Sequence, residues 1–179
     1  MSWMGNPDRR PMMSNDLFRK RVFPLLDKGE KVFMIVFDNL RYDQWRMLYR
    51  EIAGIFSSDE EIYFSLLPTA TQYARNAIFA GLMPLQIEEF FPGLWVDESE
   101  NEGKNLKENE LIATQLARFR RKNSFSYSKV NDSQAADRLL AQFSQLERND
   151  LNVLVVNFID ILSHARTEQK TVRELAADE

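Results

Sequence analysis

No cysteine occurs among the 179 residues, and histidine occurs once, at His164. Disulfides and thiolate metal sites are therefore excluded. Any metal centre drawn from this chain uses carboxylates, hydroxyls and that single imidazole. No apolar run approaches the ~20 residues that cross a bilayer, so membrane insertion is not expected. The stretch from Met1 to Pro11 carries Asp8, Arg9 and Arg10 and lacks the apolar core of an export signal. Without export signal or cysteine, the cytoplasm is the expected compartment. Neither charge sign dominates: 23 basic against 27 acidic residues leave a net −4. That balance argues against broad, non-specific binding to a nucleic-acid backbone, although a local basic groove escapes such an average. Repeats and low-complexity tracts are absent as well.

What is present points to a folded core. Thirteen Phe, five Tyr and three Trp cannot all stay in water, which excludes a disordered chain. The length suits one domain or part of a larger one. Ser14-Asn15-Asp16 offers capping oxygens ahead of Leu17, Phe18, Val22 and Leu25 at helical spacing, with Pro24 disturbing that helix and Gly29 ending it. Val32 to Phe37 is six apolar residues in a row, which predicts a strand buried on both faces of a parallel sheet. A helix is predicted from about Tyr42 to Phe56, a second strand over Ile62–Leu67 closed by Pro68, and a helix from Gln72 to Ala80 stopping at Gly81. Phe90 to Trp95 reads as an ordered aromatic loop and Asp97 to Lys107 as a polar connection. Further helices are expected over Glu108–Lys122 and Ser133–Arg148, and a short strand over Phe125–Val130. Leu151 to Ile159 is the third strong strand, with Asp160 at its end, and Thr167–Glu179 is helix-forming. Strands alternate with helices, so the fold class is α/β with a largely parallel sheet flanked by helices.

Ligands of open α/β sheets bind at the carboxyl ends of the strands. Those ends release Asp38, then Thr69 and Thr71, then Asp160 with His164 four residues on. Singly, each has a bland explanation: Asp38 a solvated turn, Thr71 a helix cap, His164 a structural histidine, Arg75 a surface arginine. Jointly they suit metal-assisted phosphoryl chemistry. Carboxylates and an imidazole match zinc, with manganese or magnesium behind it. A threonine hydroxyl becomes a nucleophile when a metal favours its alkoxide. Helix-start N–H groups near Thr71 favour a phosphoryl oxygen, and Arg75 is a candidate to hold another.

Competing sites fail on the residues. A haloacid-dehalogenase-type site needs Asp where Leu40 stands, and a receiver needs an acidic pair where Asp38 is followed by Asn39. No phosphate-loop, dinucleotide-glycine or nucleophile-elbow motif occurs.

Three strings in order carry a resemblance. Ile35-Val36-Phe37-Asp38-Asn39-Leu40-Arg41-Tyr42-Asp43-Gln44-Trp45 resembles the first metal-ligand strand of PglZ domains in the alkaline phosphatase superfamily. Leu67 to Gly81, with Thr69, Thr71 and Arg75, is similar to that family's nucleophile helix. Asn157 to His164 resembles its Asp-x-x-x-His ligand motif. Within the family the likeness is to PorX-type response regulators of Bacteroidetes type IX secretion, and it spans roughly Leu17 to Glu179. The resemblance implies Thr71 as nucleophile, Asp38 and Thr71 on one zinc ion, and Asp160 and His164 on a second. It implies a phosphodiesterase-like hydrolase of phosphate esters, nucleotides or oligonucleotides among them. It also implies a receiver domain in the parent protein, a homodimer, and as an alternative a catalytically silent module contacting a secretion or transcription partner. The superfamily's later Asp-His pair and further histidine have no counterpart here. The expectation is thus a lead-in over residues 1–30 and the N-terminal portion of an effector domain over 31–179.

Overall fold

The computed structural model describes residues 10–95 and 106–165. In chain order the elements are α1 (Phe23–Asp27), β1 (Val32–Phe37), α2 (Tyr42–Ile52), α3 (Thr71–Ala80), α4 (Pro84–Phe90), α5 (Glu108–Arg118), β2 (Phe125–Val130), α6 (Ser133–Ala141), α7 (Phe143–Leu146) and β3 (Leu151–Val156). Residues 158–165 are helical. The class is α/β, with a three-stranded parallel sheet flanked by helices. Residues 1–9 of the expected lead-in, most of the polar connection after Trp95 and the helix over Thr167–Glu179 lie outside the described residues. Among the described residues no helix is long and apolar enough to cross a membrane. Two compact units form, one from Met1–Val32 and Glu60–Ser124, the other from Phe33–Asp59 and Phe125–Glu179.

In the first unit the expected opening helix breaks into three geometries. Ser14–Asp16 is a 3₁₀ turn, Phe18–Val22 is π-helical and α1 follows. Pro24 lacks the N–H that would close an α-turn onto residue 20, and the widened turn lies directly before it. Asp16 does the capping: its carboxylate accepts the Met13 N–H at 3.0 Å and pairs with Arg10 at 2.7 Å. The Ser14 hydroxyl instead accepts the Leu66 N–H at 3.1 Å.

That contact belongs to a correction. Ile62–Leu67 is not a strand of the sheet: among the described residues its one ladder contact is a single parallel bridge between Phe64 and Met13. Phe64 donates to Met12 at 2.8 Å and accepts from Ser14 at 3.1 Å, and Pro68, with no N–H, cannot extend the ladder. The unit's core forms where Phe18 meets Phe23 and Phe79 edge-on, at centroid distances of 6.0 and 6.4 Å. Ile87, Leu111 and Ile112 are buried with them. Each such side chain contributes about 1.5–3 kcal/mol by leaving water. The helix α3 packs against α4 and α5 and is buried from Ala74 to Ala80. It ends as expected at Gly81, which takes a left-handed φ of 61°. A Cβ there would also stand 2.1 Å from the buried Gln115 amide nitrogen, so that side chain would have to shift.

In the second unit the strand order is β1-β3-β2. The strand β3 pairs in parallel with β2 from Phe125 against Leu151 to Val130 against Val156. Being central, β3 is buried along five of its six residues. The expectation that β1 is buried on both faces is corrected: among the described strands β1 lies at the edge, and Ile35 is 50% exposed. A continuous apolar run identifies a strand but not its place in the sheet. Asn152 sits in the centre of this unit without penalty, since its side chain donates to the Leu146 carbonyl at 3.0 Å and accepts from Ser126 at 2.6 Å. The helix expected over Ser133–Arg148 divides at Gln142 into α6, whose N-terminus is capped by Asp132, and α7. The expected helices after Asp38 and after Glu108 end earlier, at Ile52 and Arg118.

Candidate active site

Asp38 leaves the sheet at the end of β1, where its N–H donates to the Val156 carbonyl at 3.0 Å. This hydrogen bond ties together the carboxyl ends of two adjacent strands. Asn39 completes the turn at φ 57°, a left-handed conformation that asparagine tolerates better than most residues. Asp38 is half-buried there.

Strand β3 was expected to continue to Ile159 and deliver Asp160 directly. It stops at Val156, and Asp160 lies in the first turn of the helix that follows. Asn157 makes this switch, its N–H reaching the Val130 carbonyl at 3.0 Å while its own carbonyl accepts from Ile161 at 3.0 Å. On a helix, positions four apart share one face. The His164 Nε2 accordingly stands 3.5 Å from the Asp160 Oδ1. The pair lies at the same end of the sheet as Asp38. A catalytic zinc takes three protein donors. Asp160 and His164 offer two, and the described residues gather no group of three acidic or imidazole side chains. The donors match zinc in kind and fall short in number.

Thr71 belongs to the first unit, as the first residue of α3. The residue before it, the N-cap Ala70, has no side-chain oxygen with which to cap this helix start. Exposed helix-start N–H groups and the helix dipole attract anions. Thr71 is half-buried, and Thr69 is exposed. One turn on, Arg75 is neither exposed nor at the surface. It is buried, with its Nε 2.5 Å from the Oε1 of Glu108, which is also buried. Glu108 escaped sequence reasoning because nothing local links two residues 33 positions apart. Beside this helix Tyr73 meets Trp95 at a centroid distance of 5.7 Å, which orders the aromatic segment after α4.

The second unit thus holds a strand-end aspartate and an Asp-x-x-x-His helix turn, and the first unit a threonine opening a buried helix. The family of the BREX system PglZ alkaline phosphatase-like domain matches residues 17–179. The chain belongs to the PglZ family. No curated protein matches the sequence. Membership gives this PglZ domain a phosphoesterase-type character and agrees with the α/β architecture. The matched span takes in Asp38, Thr71, Arg75, Asp160 and His164.

Proposed function

We propose that this PglZ domain hydrolyses phosphate esters with the Thr71 hydroxyl as nucleophile and Asp38, Asp160 and His164 as metal donors. The observation that carries this reading is the position of Thr71 at the first residue of α3, at a helix start without a side-chain cap. Backbone N–H groups at such a start favour a phosphoryl oxygen and the charge that grows on it. Thr71 Oγ would bond to phosphorus as the ester P–O bond breaks, the alcohol leaving with a proton. Water would then release the phosphate from the threonine. Zinc, which matches the carboxylate and imidazole donors, would supply positive charge that favours the ionised hydroxyl. The buried pair with Glu108 supports a positioning role for Arg75, anchoring α3 beneath Thr71, ahead of direct contact with phosphate. The substrates proposed are phosphodiesters, nucleotides and oligonucleotides among them.

The test is zinc-dependent hydrolysis of bis(p-nitrophenyl) phosphate. Thr71→Ala should lower turnover at least ~10³-fold, in line with losses for removed nucleophiles, while Thr71→Ser keeps a measurable rate. Zinc binding, read by calorimetry, should be retained in both. Unchanged turnover in Thr71→Ala would overturn the assignment.

A second reading is favoured by Phe90, which is 54% exposed at the end of α4. Leu85 on the same helix and Met83 just ahead of it are exposed as well, and clustered exposed apolar side chains of this kind mark contact surfaces. In this reading the domain is the output module of a cytoplasmic response regulator, coupled to a receiver domain, dimeric, and acting on a type IX secretion or transcription partner. A folded, zinc-loaded chain without turnover would leave this reading standing.

A further inference from the structure

The net charge of −4 conceals a segregation of sign. Residues 17–31 hold Arg19, Lys20, Arg21, Lys28 and Lys31 against Asp27 and Glu30, and residues 118–122 hold four cations and no acid. The first unit brings these two stretches together. Phe119, at the end of α5, packs on Phe23 of α1 at 5.1 Å, and the Arg121 guanidinium lies over the same Phe23 ring at 4.0 Å. Arg121 also makes a bidentate pair with Asp27, at 2.8 and 3.0 Å. Three of the cations have internal duties: Arg121 with Asp27, Arg21 with Glu61, and Arg118 with the carbonyls of Ala80 and Gly81. Arg19, Lys28, Arg120 and Lys122 are exposed, and no ion pair engages them among the described residues.

Two details indicate what this surface takes. Phe119 stays 41% exposed amid the cations, with Arg118 5.7 Å from its ring centroid. Arg120 adopts φ 53°, in the position after a helix that glycine ordinarily fills. Its N–H reaches the Ala117 carbonyl and that of Arg121 reaches Leu116, both at 2.9 Å, so the turn is a complete Schellman motif. A side chain in this conformation is strained. Here the position carries an exposed arginine directly after the exposed Phe119 in the chain.

We infer that the surface formed by α1, its preceding turn and Phe119–Lys122 binds the phosphate backbone of single-stranded nucleic acid, with Phe119 as a stacking platform. Cations tracking a backbone beside an aromatic face are the elements of such sites. Duplex ends aside, paired bases present no face for Phe119. An anionic membrane would want several exposed apolar side chains, whereas Phe18, Val22, Phe23 and Leu26 are all buried in the core. The surface is independent of Thr71 and of the hydrolytic reading.

The experiment is fluorescence anisotropy of a fluorescein-labelled oligothymidylate titrated with the full chain, with no turnover read. Affinity should fall about tenfold or more between about 50 and 200 mM salt. Arg120→Gly decides most: by releasing the strained conformation it should raise the melting temperature by about 2–4 °C while weakening binding about threefold. Arg120→Glu with Lys122→Glu should weaken binding at least ~10-fold, and Phe119→Ala about fivefold or more. Arg50→Glu with Arg138→Glu, an equal charge change in the second unit, should alter it less than about twofold. The proposal is overturned by an absence of binding at low salt, by equal losses in both double variants, by Arg120→Gly binding like wild type, or by phosphatidylserine vesicles binding where the oligonucleotide does not.

Discussion

Arg75 and Glu108 face each other with both side chains out of water. Desolvating two charges costs several kcal/mol, which their contact and hydrogen bond must offset. The pair is therefore a poor source of net stability and a sensitive point of failure. Removing one partner strands the other charge in the core. Glu108→Ala should cost about 3–5 kcal/mol in denaturant unfolding, and a double replacement by Met at both positions should cost markedly less than the two single changes together. A cost for Glu108→Ala below ~1 kcal/mol would mean that the ion pair does not hold α3 to α5. Because α3 opens with Thr71, the same variant should lower turnover through misplacement of the proposed nucleophile.

The two strands read most strongly from apolar runs behave differently once paired. β3 lies between two neighbours, and Leu151, Val153 and Val155 are fully buried. Among the described residues β1 is hydrogen-bonded on one side only, and Ile35 retains half its exposure. Leu151→Ala should thus destabilise by about 2–5 kcal/mol, from lost burial and the cavity left behind. Ile35→Ala should cost under ~1 kcal/mol, since exposed positions away from special features change stability little. Thermal or urea unfolding of the two variants checks the contrast. Equal costs would mean that β1 is covered as fully as β3. The turn after β3 is a smaller case of pairing overriding pattern. Ile159 continues the apolar run, yet Asn157 starts a helix, and that switch puts Asp160 and His164 on one face.

Across the chain, exposed carboxylates sit beside guanidinium groups: Asp27 with Arg121, Asp43 with Arg41 and Glu61 with Arg21. In each pair the side-chain hydrogen bond from arginine is the largest influence and holds the carboxyl below its ordinary value. A depressed folded pKa means that the native state binds the proton less readily than the unfolded chain. The stability from these pairs is then complete above the unfolded carboxylate range of about 3.9–4.3 and is lost as pH falls through the lower folded values. The melting temperature should accordingly fall below about pH 4, less steeply in Asp27→Asn and less steeply at high salt, which screens exposed pairs. A melting temperature that does not respond to acid in this window would show the pairs to be inert.

Much of the local structure follows from the residues within a few positions of it. Gly81 ends α3 because a left-handed φ suits glycine, and Asp132 starts α6 with its carboxylate on the Ala135 N–H. Those features depend on steric and hydrogen-bonding preferences of single residues and on helix periodicity, so they were legible without coordinates. Strand order was not: nothing in six apolar residues tells a central strand from an edge. Nor was Arg75's burial, Phe119 meeting Phe23, or the reduction of Ile62–Leu67 to one bridge. Each depends on residues tens of positions away, whose approach is decided by packing of the whole unit.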